Sequence, residues 1–145
     1  MAAKQDVRLD DMPGHLFRRL HQLAVARFSS EMDQAGLTPI QWAALMTTSQ
    51  RPGLDQSTLS REIHIDTSTI AGVLDRLENR GLIQRKPSPD DRRLRLLYLT
   101  EEGVVLLEQA TAIVVDMQDW LLEPLSDSER AVFMQLMLKV LHRLE

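Results

Sequence analysis

Cysteine is absent from the 145-residue chain, which excludes disulfides, a thiol oxidation sensor and thiolate metal ligation. No apolar run is long enough to cross a bilayer, and residues 1–9 hold no apolar signal-peptide core. A soluble cytoplasmic protein is the expectation. Internal repeats and low-complexity linkers are also missing, so one domain spanning 1–145 is expected, with 43% hydrophobic residues supplying its core. The sequence has no glycine-rich phosphate loop, His-Glu-x-x-His helix or nucleophile elbow, which leaves no catalytic or cofactor motif. The histidines, His15, His21, His64 and His142, stand without a second ligand at helical spacing, so no metal site is read from them.

What is present centres on residues 55–100. Asp55 can cap a short helix that carries Leu59 and Ile63 one turn apart. That helix must stop near His64, because Asp66, with Thr67 behind it, offers a second N-cap. The next helix places Ile70, Val73, Leu74 and Leu77 on one side at the spacing of a buried stripe. Thr67, Ser68, Thr69, Gly72, Asp75 and Arg76 are left for the outside or the helix N-terminus. Gly81 suits the left-handed position that closes the helix. Beyond it the period changes to two, and a hairpin over 83–99 turns at 87–93. Apolar residues on both sides of 94–99 leave its buried face open. Two short helices followed by a hairpin with a basic tip is the order of a winged helix-turn-helix. The fold class expected is mainly α with a small β-wing.

Charge placement points to DNA more than charge total does. The chain carries a net −4, which argues against a generally basic surface. Between Arg76 and Arg95, however, seven basic residues face three acidic ones, a local excess of four positive charges. A second helix headed by small hydroxylated residues can enter the major groove, offering Thr67, Ser68 and Thr69 to base edges and phosphates. The hairpin tip, with Arg92 and Arg93, can reach the neighbouring minor groove. Basic hairpins are also found as plain solvated surface, and helix-turn-helix units also serve as protein-interaction modules.

Together these segments resemble the MarR family of winged-helix transcriptional regulators, over nearly the whole length. The residues that carry the resemblance are Thr38-Pro39-Ile40-Gln41-Trp42, Leu59-Ser60-Arg61-Glu62-Ile63, Ser68-Thr69-Ile70 and Leu77-Glu78-Asn79-Arg80-Gly81-Leu82-Ile83. Pro89-Asp90-Asp91-Arg92-Arg93 is the most specific, followed by Tyr98-Leu99-Thr100 and Gly103. The resemblance implies that Arg93 enters the minor groove while Asp91 braces the wing through an ionic contact. His64 departs from the pattern, standing where the family usually has glycine between the two helices; histidine tolerates a left-handed backbone better than most residues. Some relatives sense peroxide through a cysteine, a route closed to this chain. Zinc-responsive relatives make a metal-responsive regulator an alternative reading.

The flanks supply helices. Residues 1–13 carry mixed charge and little periodicity, and most of them are expected to form a flexible arm. Leu16, Leu20 and Leu23, with Phe17, Ala24 and Phe28, make a broad apolar face over about 14–35. Thr38 to Gln41 is a capping box with Pro39 in the first helical position. Thr100 can cap a long helix through Leu122, and Ser126-Asp127-Ser128-Glu129 caps a last one carrying Val132, Phe133, Leu136, Val140, Leu141 and Leu144. Leu106, Leu107, Thr111, Val114 and Val115 make the long helix too apolar for the surface of a small monomer. We expect 14–35 and 100–145 to form a homodimer interface, with 38–99 as the DNA-binding part. Two copies would then read a pseudo-palindromic operator in double-stranded DNA.

The resemblance further implies that a small molecule, bound where the dimer helices meet the winged helices, controls DNA affinity. His15, Arg18, Arg19 and Gln22 share a face of the first helix; such a run is also an ordinary solvated face. Arg18 or Arg19 could pair with a carboxylate, His15 could hydrogen-bond to it, and Trp42 could pack on an aromatic ring. The effector expected is an anionic aromatic acid such as a hydroxybenzoate or a hydroxylated pyridine carboxylate, acting on a repressor. A winged-helix protein-interaction module without its own operator is the rival reading.

Overall fold

Capping residues decide where five of the helices begin. In the computed structural model, which describes residues 7–144, Thr38, Asp55, Asp66, Thr100 and Ser126 each accept a hydrogen bond from the backbone N–H three residues on. They start α2 (Pro39–Gln50), α3 (Gln56–Glu62), α4 (Thr67–Asn79), α5 (Glu101–Leu121) and α6 (Asp127–Leu141). Thr38 and Ser126 form full capping boxes with Gln41 and Glu129. The first helix, α1 (Pro13–Glu31), lacks a side-chain cap but has Pro13 in its first turn. It ends short of the expected 35, because the chain folds through a turn closed by Gly36 at φ 61°.

The expected flexible arm is partly structured. Leu9–Asp11 is a 3-10 turn beside α1, and Asp10 lies 3.5 Å from Arg19; residues 1–6 lie outside the described residues.

Stops follow the same local logic as starts. His64, the non-glycine residue with positive φ (55°), turns the chain between α3 and α4, and its N–H donates to the Arg61 carbonyl. Gly81 (φ 71°) closes α4 in the left-handed conformation.

β1 (Ile83–Pro87) and β2 (Arg95–Leu99) pair antiparallel, with Ile83 opposite Leu99 and Pro87 opposite Arg95. A short third edge joins them where Gly53 N–H donates to Leu97 O and Leu97 N–H to Leu54 O. The buried face left open by sequence is that of Leu97, which is fully enclosed, whereas Leu94 stays exposed.

Two regions of one core position the site. Leu45 of α2, Leu59 of α3, Ile70, Leu74 and Leu77 of α4 and Leu97 of β2 are fully buried and lock α4 onto the wing. Phe28 and Met32, from α1 and the turn after it, join Leu107, Ala110, Val114 and Met117 of α5 in the same core cluster. Much of the apolarity of α5 is therefore satisfied inside one chain. Leu107 and Val114 point inward; Val115 remains exposed.

Helix α6 is different: it buries no side chain, and Val132, Leu136, Val140 and Leu141 are about half exposed. Leu16, Phe17, Leu20 and Leu23 of α1 are open as well. The side chain of Leu144 lies outside the described residues.

Candidate nucleic-acid interface and ligand cavity

The outer face of α4 follows from burying its other side. With Ile70, Val73, Leu74 and Leu77 inward, Thr67, Ser68 and Thr69 are exposed at the head of the helix, and Thr69, Gly72 and Arg76 follow one another along one face. Gly72 leaves room for the Arg76 guanidinium, whose Nη2 would lie 4.0 Å from a Cβ placed there.

The hydroxyls at the head are not free rotors. Ser68 Oγ donates to Asp66 Oδ1 at 2.6 Å, and Thr69 Oγ1 to Asp66 Oδ2 at 2.7 Å. These bonds, with that from the Thr69 N–H, hold the Asp66 carboxyl well below the usual carboxylate range. An anionic cap at this helix end disfavours an anion there.

The positive excess is reduced by contacts that the sequence conceals. Arg85 is clamped by Glu78, with Nε to Oε2 at 3.1 Å, and by Asp75, with Nη2 to Oδ1 at 2.6 Å. The hydrogen bond from Arg85 holds Glu78 below the ordinary carboxylate range. Arg80 donates to the carbonyls of Gly36 and Ala35 at 2.7 and 3.0 Å, tying the end of α4 to the turn after α1. Lys86 lies over the Tyr98 ring, 5.1 Å from its centroid. Among the described residues, Arg76, Arg92 and Arg95 have no ion-pair partner.

The wing tip is built from turns that aim its arginines outward. Ser88, a buried residue missed from the sequence, accepts from the N–H groups of Asp90 and Asp91 at 3.3 and 3.4 Å. Asp91 Oδ1 in turn accepts from the Arg93 N–H at 3.0 Å and lies 3.6 Å from its Nε. The Arg93 side chain is 94% exposed. A Ser–x–x–Asp run inside a proline-flanked turn is the signal that marks such a tip.

A cavity of about 240 Å³ lies between α1, α2 and α5. Trp42 lines it with Val25, Phe28, Val114 and Met117, and His21 and Gln118 supply polar groups. The Trp42 indole N–H reaches Thr111 Oγ1 at 3.4 Å, which leaves the ring face to the cavity. His15, Arg18 and Arg19 are not among its lining residues. Arg18 donates to Gln22 Oε1 at 3.0 Å and to His15 Nδ1 at 3.1 Å, while Arg19 leans on Asp10. Arg18 stands one turn before His21 on the same face of α1. His21 was the residue to find: Arg18, His21, Val25 and Phe28 repeat at helical spacing. A larger and more open groove on the other side of α2 has Glu108 and Asp116 in its lining, which disfavour an anion.

Comparison with known proteins agrees with this geometry. The family model described as "MarR family" matches residues 37–94. The transcriptional regulator HosA of Escherichia coli is 35% identical over 128 residues, covering 88% of this chain and 93% of that relative. The PcaV transcriptional regulator from Streptomyces coelicolor, solved in complex with its natural ligand, is 36% identical with a TM-score of 0.87, each chain being covered over 100% of its length. The structure of Bordetella bronchiseptica BpsR, whose DNA binding is regulated by 6-hydroxynicotinic acid, is 27% identical with a TM-score of 0.89, covering 94% of this chain and 97% of that one.

Proposed function

We propose, because the chain belongs to the MarR family of transcriptional regulators, that it is a homodimeric repressor released from a pseudo-palindromic operator by a small anionic aromatic ligand. The cavity between α1, α2 and α5 carries this reading. Its volume of about 240 Å³ falls below the ~300–1,000 Å³ of drug-sized sites, which suits a single ring. Its apolar walls and Trp42 suit an aromatic face; His21, Gln118 and, after reorientation, Arg18 suit a hydroxyl and a carboxylate. PcaV with its natural ligand and BpsR with 6-hydroxynicotinic acid, a hydroxylated pyridine carboxylate, support the same class.

The cavity sits where a ligand can act on DNA affinity. α2 packs on both α5 and α4, and Arg80 fastens the end of α4 to the turn after α1. A ligand that fits one spacing of α1, α2 and α5 shifts the population between DNA-competent and incompetent arrangements by its difference in affinity for the two. Arg18→Ala is expected to raise the acid concentration needed to release DNA at least about tenfold, the loss of one charge-assisted hydrogen bond. Arg19→Ala, on the face held by Asp10, is expected to leave it unchanged. Release curves for both variants check this; equal curves for Arg18→Ala and the unmodified chain would remove Arg18 from the site.

The second copy is proposed to cover α6 and the open face of α1. Both α6 and this face of α1 leave several large apolar side chains exposed, as faces that meet a partner do. Equilibrium sedimentation is expected to give a dimer at micromolar concentration, and Leu136→Asp, at a residue that is 54% exposed in the single chain, is expected to give monomers that remain folded. A monomeric unmodified chain would contradict the proposal. No group of three potential metal ligands occurs among the described residues. The protein-interaction alternative is separated by DNA binding itself.

A further inference from the structure

The exposed head of α4 has a defined hydrogen-bond polarity. A serine or threonine hydroxyl has one proton to donate and two lone pairs to accept with. At Ser68 and Thr69 that proton points at Asp66, at 2.6 and 2.7 Å. Both oxygens therefore face outward as acceptors only. The same arrangement occurs elsewhere in the chain with its outcome visible: at the head of α3, Thr58 Oγ1 donates to Asp55 Oδ2 at 2.7 Å and accepts from Arg61 Nη2 at 3.2 Å. A hydroxyl held by an aspartate cap thus still accepts from an N–H donor.

In the major groove, adenine N6 and cytosine N4 are donors, whereas guanine O6 and N7 and thymine O4 are acceptors. Resting on the DNA-binding reading above, we propose that Asp66 is a positioning residue for operator choice: by taking the hydroxyl protons of Ser68 and Thr69, it makes α4 select an amino base, adenine or cytosine, over a keto base on the contacted strand. Further along the same face, Arg76 carries only donors and suits guanine O6 and N7. The recognition face thus reads acceptor first and donor second.

Asp66→Asn tests this with almost no change of shape. The amide oxygen still accepts from the Thr69 N–H and Ser68 Oγ, so the cap survives. The amide NH₂ replaces Oδ2 and donates to Thr69 Oγ1, whose own proton is then free to point outward. Thr69 becomes able to serve keto bases. Asp55→Asn makes the same chemical change at α3 and controls for loss of a cap.

Binding of the full chain to a duplex library randomised over a half-site, at fixed salt, reads the outcome. The unmodified chain is expected to favour amino over keto bases by about tenfold at one or two positions per half-site, the worth of a single hydrogen bond. Asp66→Asn is expected to bring that ratio close to one at the position read by Thr69, and Asp55→Asn to leave it intact. The Ser68→Ala/Thr69→Val double variant keeps Asp66 and removes the hydroxyls; it is expected to lose the same preference while retaining the others. That variant decides the matter if Asp66→Asn does not fold. An unchanged base profile in Asp66→Asn, or in the double variant, overturns the role of Asp66 and leaves the DNA-binding reading standing. An unmodified chain that binds no duplex overturns both.

Discussion

An alanine at Gly103 is expected to destabilise the protein by about 1–3 kcal/mol, the usual range for forcing an atom into a filled site. Helix propensity alone predicts the opposite sign, since alanine in a helix interior is favoured over glycine by roughly 1 kcal/mol. The packing decides. A Cβ on Gly103 would lie 2.0 Å from the Leu82 carbonyl oxygen and 3.0 Å from its carbon. That carbonyl cannot swing aside freely, because it accepts the Thr100 N–H at 3.1 Å, and Thr100 is the cap of α5. The first turn of α5 therefore has to lift off the turn that follows α4. Denaturant unfolding of Gly103→Ala should show a lower midpoint with an unchanged slope. A midpoint equal to or above that of the unmodified chain would mean that α5 is not seated on Leu82.

Arg93→Ala is the second large effect, and it lies on function rather than stability. The side chain is 94% exposed and its one ionic neighbour is Asp91 at 3.6 Å, so its loss should change folding stability by less than about 0.5 kcal/mol. DNA affinity should fall about a hundredfold for a dimer changed in both copies, given roughly 1.5–3 kcal/mol for a charged hydrogen bond. The dependence of log affinity on log salt should also become shallower by about two, one phosphate-linked charge per copy. Affinity and salt slope both unchanged would show that the wing does not reach DNA.

The caps explain why so much of the fold is legible in the sequence. Thr38, Asp55, Asp66, Thr100 and Ser126 act within three residues of themselves, and Gly81 and His64 set the backbone locally. Most of the hidden features depend on distance in the chain. Nothing near Arg85 announces that Glu78 and Asp75 neutralise it, because the pairing needs β1 laid against α4. Arg80 reads as one more basic residue beside the wing, yet its guanidinium is held by carbonyls 44 and 45 residues away.

The ligand cavity shows the same limit. Periodicity puts Arg18 and His15 on one face of α1 but does not say which turn faces α2 and α5. Packing places His21, one turn later, in the wall. Much of the apolar length of α5 is likewise taken up by long-range packing: Leu107 and Val114 meet the chain's own core, while Val104, Val105 and Val115 of α5 stay exposed with α6 and part of α1.

The most direct test of the account is a titration of the full chain against duplex DNA from the region upstream of its own gene, at fixed salt, with and without hydroxybenzoates and hydroxylated pyridine carboxylates. The account predicts tight, salt-sensitive binding that one of these acids releases. Absence of binding at modest salt, or tight binding that none of the acids weakens, would contradict it.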